Sequence, residues 1–192
     1  MQTHHLAAAA DAFIERAIEA ARRPGGAALS TLDDLPAAIY VTDAQGVVVY
    51  FNHACVAFAG RTPIIGQDRW CVSWKLFTDG GEFLPHDAAP LAKAIRKKRP
   101  VRGLHTMAER PDGSRVHMLH HPTPLFSDNG ELVGAVNLLL DVTHRKQAAE
   151  LRRQAERCRR LANLVGPDPA GEKLNRMAAD YDDQAHRLDH QA

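Results

Sequence analysis

Three kinds of side chain in this chain could do chemistry. Eleven histidines are present, and three of them, His117, His120 and His121, fall on one short stretch. Read as a strand, that stretch puts His117 and His121 on one face, with His120 on the other, beside Val116 and Met118. Two histidines four strand residues apart stand about 13 Å apart, too far to share a metal ion without a bend. His120 alone could act as an axial ligand to a heme iron. The cysteines Cys55, Cys71 and Cys158 are sparse, odd in number and in no Cys-x-x-Cys. That argues against a disulfide framework and a structural zinc, and fits a reducing, cytoplasmic setting. No metal site is expected.

The third kind is cationic. Arg96-Lys97-Lys98-Arg99, with Arg102, could meet an anion or nucleic acid, but a solvated helix end explains the run better. Formal net charge is +1, from 24 Lys and Arg against 23 Asp and Glu, which excludes binding to nucleic acid by bulk charge. Ser73 and Ser114 have no arguable base, and Glu109, Asp112 and Asp128 fall in turns, so no catalytic set stands out and no enzyme is expected. Apolar runs such as Val47–Phe51 and Leu138–Leu140 are short against the roughly twenty residues of a membrane helix.

These side chains must be held by a few short elements. Residues 5–22 form an amphipathic helix, with Leu6, Ala10, Phe13, Ile14, Ala17, Ile18 and Ala21 on one stripe and Pro24-Gly25-Gly26 ending it. Ala38–Thr42 and Val47–Phe51 read as a hairpin about Asp43-Ala44-Gln45-Gly46, and Asn52 caps a helix that stops at Gly60. Thr62–Pro85 is dense in Gly and Pro and predicts no long element. A helix follows over Pro90–Lys98, with Leu91, Ala94 and Ile95 buried and His86-Asp87 as its cap.

Three meandering strands come next, Val101–Glu109, Arg115–Pro122 and Leu132–Leu140, with turns at Asp112-Gly113 and Asn129-Gly130. The last is apolar on both faces, so a helix should cover its outer face, and the N-terminal helix is the candidate. From His144 to Val165 there are seven Lys or Arg against two Asp or Glu, and from Asp168 to Asp189 three against six. Opposite charge on consecutive helices, with a heptad-spaced Ala/Leu seam, predicts an antiparallel helical hairpin. Its arginines Arg152, Arg153, Arg157, Arg159 and Arg160 can pair with the acidic second helix.

The segments "IYVTDAQGVVVYFNHACVAFAG" (Ile39–Gly60) and "ERPDGSRVHMLHHPTPLFSDNGELVGAVNLLLDVTHRK" (Glu109–Lys146) resemble the opening and closing halves of a PAS domain. "RWCVSW", "LPHDAAPLA" and "RPVRG" are similar to a subset of bacterial PAS domains found before histidine kinases and in stand-alone proteins. The resemblance implies an α+β fold, a PAS-like five-stranded antiparallel sheet with short helices. It is flanked by the N-terminal helix and linker (1–31) and by a helical output or interaction segment (144–192), with the PAS domain at 32–143. It implies a cytoplasmic sensory or regulatory module that binds a small ligand or partner and relays its state through the flanking helices.

The expected cavity lining is Ile39, Val56, Trp70, Trp74, Leu91, Ile95, Val116, Met118, His120 and Leu138. Asp141 and Thr143 are expected to couple the last strand to the output helix by bonding its first N–H groups. Phe13, Ile14, Ile18, Leu119 and Leu139 are expected to form a homodimer surface. A histidine kinase or response regulator is the expected partner class, with neither membrane nor nucleic acid. The alternatives are a ligand-free dimerisation and docking adaptor and, behind it, a heme-based gas or redox sensor. Cys55 and Cys71 lack the Asn-Cys-Arg-Phe-Leu-Gln-like setting of LOV flavin chemistry, so that cofactor is rejected. His144 stands at the start of its helix and is not read as a phosphoacceptor.

Overall fold

The computed structural model describes residues 2–22 and 29–190, with side chains from 11–21 and 29–190. The Pro24-Gly25-Gly26 break and the side chains of Leu6 and Ala10 therefore lie outside the described residues. The chain divides into two compact units, Met1–Asp141 and Val142–Ala192.

In the first unit, helix α1 (Gln2–Arg22) precedes a short 3-10 turn (Leu29–Leu32) and the hairpin β1 (Ala38–Asp43) and β2 (Val48–Phe51). The Asp43 carboxylate builds the hairpin turn by accepting the N–H groups of Gln45 and Val47 at 2.9 and 2.8 Å. Asn52 starts α2 (His53–Ala59) by accepting the Cys55 N–H, and Gly60, at φ 65°, ends it. Asn52 is fully buried and uses its whole amide. It also accepts from the Ile39 N–H and donates to the carbonyls of Leu32 and Ala37, so it ties the entry segment to the sheet.

The sheet has seven strands among the described residues, in the order β2-β1-β7-β6-β5-β3-β4, rather than the five expected. Both additions lie at one edge: β3 (Lys75–Thr78) and β4 (Phe83–Leu84) form a hairpin whose first strand pairs with β5 (Leu104–Glu109). The Gly and Pro density that argued against structure here is partly the turn itself, Asp79-Gly80-Gly81. Strand β5 starts at Leu104 rather than Val101, since Gly103 sits at φ 72°.

Strand β6 (Arg115–Phe126) runs four residues past the expected end at Pro122. Its pairing with β5 stops at His120, and the Pro122 carbonyl turns away from β7 (Leu132–Asp141) to accept the Val101 N–H. A residue in an antiparallel strand points its N and its carbonyl to the same side. The N–H that proline lacks is thus missing from the side without a β5 partner.

Two apolar layers sandwich the sheet. The inner layer joins Tyr40, Met118, Val116 and Leu139 to Leu91 and Ile95 of α3 (Pro90–Lys97) and to Cys55 and Phe58 of α2. The outer layer joins Ile39, Val41, Val136 and Leu138 to Ile14, Ala17 and Ala20 of α1. The N-terminal helix thus covers the outer face of its own sheet.

The second unit is a helical pair, α4 (Thr143–Val165) and α5 (Pro169–Asp189). Its seam is built of small residues, Ala155, Cys158 and Ala162 on α4 and Gly171, Ala178 and Ala185 on α5, so the helices can approach closely. Arg152 pairs with Asp189 and Arg159 with Asp182, a ladder that only an antiparallel pair can make. Arg153 and Arg160 pair instead with Glu150 and Glu156 on their own helix. Among the described residues no helix is long and apolar enough to cross a membrane.

Candidate functional site

The inner face of the sheet carries one polar line through its apolar layer. Adjacent strands place Tyr40 (β1), Asn137 (β7), His120 (β6) and Thr106 (β5) side by side, each at most 3% exposed. Asn137 Oδ1 accepts the His121 backbone N–H at 3.2 Å, which fixes the amide orientation. Asn137 Nδ2 then donates to Tyr40 Oη at 3.0 Å and faces His120 Nδ1 at 3.2 Å. An amide nitrogen can only donate, so His120 Nδ1 is the acceptor and the ring proton sits on Nε2. That Nε2–H meets Thr106 Oγ1 at 2.8 Å. At the other end Tyr40 Oη donates to the Trp70 carbonyl at 3.0 Å.

Burial sets the charge state of this line. Loss of solvent, with His121 and His105 adding to it, lowers His120 to a pKa of about 3, so the imidazole is neutral. Burial likewise raises the Tyr40 hydroxyl well above its ordinary value and raises the thiols of Cys55 and Cys71. These cysteines are protonated, inert fillers of the core. The one ring lone pair, on Nδ1, is taken by Asn137, and Nε2 carries the proton that meets Thr106, so no lone pair is free for iron and the residues present do not fit an axial heme site on this face. Among the described residues no group of three or more His, Cys, Asp or Glu could hold a metal.

Trp70 closes the line. Its backbone sits at φ 68°, which is strained for a bulky residue. Three contacts hold it there: the bond from Tyr40, its own N–H to the Gly46 carbonyl at 2.7 Å, and its ring lying where a Gly46 Cβ would be.

The residues expected to line a cavity divide between the faces. Leu91, Ile95, Val116, Met118 and His120 lie on the inner side, with the partly buried Trp70 at its margin. Ile39 and Leu138, cross-strand partners of each other, lie in the outer layer instead. Leu139, expected on the outer surface, is in the inner layer and 1% exposed. The cause is a one-residue error of parity in two strands that are apolar on both sides, where hydrophobicity does not mark the face. Trp74 is 45% exposed, with Lys75 Nζ 4.1 Å from its ring centroid, and Val56 is half-buried on α2.

Of the expected dimer surface, Ile14 is buried against the sheet of its own chain, while Phe13, Ile18 and Leu119 are half-buried. Asp141 is the last residue of β7, and the N-cap of α4 is Val142, which has no capping side chain, rather than Asp141 or Thr143. The N-cap of α3 is Ala89, likewise without a capping side chain, and His86–Asp87 belong to a separate 3-10 turn. Arg102 is a structural tie that donates to the carbonyls of Val101 and Pro122 and to Thr123 Oγ1.

Sequence reasoning missed Tyr40, Thr106 and Asn137. One signal was available: Asn137 is the single polar side chain within Val133–Leu140, and a buried amide requires partners on neighbouring strands.

A family model described as the PAS fold matches residues 32–147. No curated protein matches the chain. Among solved structures, the chain is similar to the PAS domain of the fruit-fly ELK potassium channel, at 18% identity and TM-score 0.48 over 60% of this chain and 94% of that one. The PAS domain of a protein from Colwellia psychrerythraea shows 20% identity and TM-score 0.43 over 60% and 93%. An RNA-binding light-oxygen-voltage receptor shows 23% identity and TM-score 0.47 over 61% of this chain, which spans only 33% of that receptor.

Proposed function

The chain belongs to the PAS fold family, and from that premise we propose that it is a sensory or regulatory module. Its input is read on the inner face of the sheet, and its output leaves through the flanking helices. One observation carries this reading. Asn137, the hub of the buried polar line, lies on β7, and the same strand ends at Asp141 and continues along the chain into α4. A ligand or partner that breaks the bond between Asn137 and Tyr40 or His120 must let β7 shift, and Asp141–Thr143 is where that shift reaches the helix. Residues 32–143 are then the sensory domain and 144–192 the output segment, with a homodimer and a histidine kinase or response regulator as the assemblies it would serve.

Hydrogen exchange tests the relay. Tyr40→Phe removes one donor and one acceptor from the line and should speed exchange over 138–150 as well as around Trp70. Unchanged exchange over 138–150 would overturn the relay.

A second reading has its own support. The polar groups of the line satisfy one another within the chain, so the line itself calls for no polar ligand, and a ligand-free docking adaptor needs nothing more. Native mass spectrometry beside a denatured control separates the two. Extra mass that is lost on denaturation supports a ligand sensor, and bare subunits support the adaptor.

A further inference from the structure

The helical pair leaves an apolar groove open on one side. It has a volume of about 660 Å³, and its floor includes Leu161 and Met177, 42% and 37% exposed, with Leu174 and Tyr181 beside them. Leu164 and Val165, 82% and 49% exposed, extend the apolar surface at the end of α4. Side chains of this size gathered on one side of a two-helix unit mark an interaction surface. The space between two antiparallel helical ridges has the width and direction of a third helix.

Charge decides which helix. Arg153, Arg157 and Arg160 line the groove, against one carboxylate, Glu150. Glu150 and Glu156 already hold Arg153 and Arg160, and Arg157 between them has no ion pair among the described residues. A second copy of this pair would bring the same arginines to the same place. Of the five acids of α5, Asp182, Asp189 and Glu172 are already held by Arg159, Arg152 and Arg176, and none of the five lines the groove. We propose that the α4–α5 groove docks an amphipathic helix of another protein, with apolar residues at i, i+3, i+4 and i+7 and Asp or Glu along its flanks. Docking here needs no ligand on the sheet, so this proposal and the sensory reading can fail separately.

The test uses the full chain and two labelled 20-residue helical peptides of identical Leu stripe, one flanked by Glu and one by Lys, followed by fluorescence anisotropy. The Glu peptide should bind about tenfold or more tighter, an advantage that shrinks as salt rises. Arg157→Glu should reduce or invert that preference. Leu161→Glu, at an exposed position where the fold tolerates charge, should weaken binding about tenfold with unchanged circular dichroism. Equal binding of both peptides, or binding of neither, would overturn the proposal. So would a dimer in sedimentation that Leu161→Glu converts to monomer, since a second copy would then fill the groove.

Discussion

At the residue scale the decisive group is His120, because its proton count differs between the folded and unfolded chain. Folded, its pKa lies at about 3, and unfolded it returns towards the ordinary value of 6.5. Below 6.5 the unfolded chain therefore binds a proton that the folded chain refuses. The stability this group contributes is complete above 6.5 and is lost as pH falls towards 3, by at most about 1.4 kcal/mol per pH unit. His120→Gln keeps hydrogen-bonding capacity without the titration. The stability difference between wild type and variant, from urea melts, should be constant from pH 7 to 8 and shrink from pH 6 downwards. A difference flat across that range would mean that His120 is not held neutral by burial. Alternation along one strand was enough to place His120 on the face of Val116 and Met118. The other three members of the polar line come from three other strands, and a pairing across 97 residues, as between Tyr40 and Asn137, has no local signature.

At the scale of elements, the β1–β2 hairpin and the loop behind it work as one piece. Val48 and Trp70 donate backbone bonds to Asp68 and Gly46, and the Arg61–Asp68 pair at 2.7 Å closes the loop on itself. Gly46 is the pivot, at φ 81°, where an added Cβ would fall 2.1 Å from the Trp70 ring. Gly46→Ala should cost about 2–4 kcal/mol from backbone strain and overpacking together, and should shift tryptophan emission to the red as the ring lifts. Gly81 is the control, with φ 89° but open space around it, so its alanine variant should lose only the strain and leave emission unchanged. A Gly46→Ala protein with wild-type emission would refute the contact. The hairpin, its Asx turn and the capping Asn52 were all legible, since each is set by two to four adjacent residues. The edge hairpin β3–β4 was not. Its strands are four and two residues long, and only pairing to β5 turns them into sheet.

At the scale of the whole molecule, a sheet with two apolar faces must find a cover for each. The inner face takes α2 and α3 from the middle of the chain, and the outer face takes α1 from its start. The stripe of α1 and the double-sided apolarity of β7 both announced this, but they could not say whether the cover belongs to the same copy or to another. Ile14 answers that question. It is 3% exposed within one chain, against the layer of Ile39, Val41, Val136 and Leu138. Ile14→Ala leaves a void under the helix and should cost about 2–4 kcal/mol. Because the contact is intramolecular, the loss should be the same at every protein concentration. A helix borrowed from a second copy would follow mass action, and diluting the protein would lower the wild-type midpoint more than that of the variant. Thermal melts of both proteins over a hundredfold range of concentration should therefore run parallel, and convergence on dilution would place Ile14 between copies.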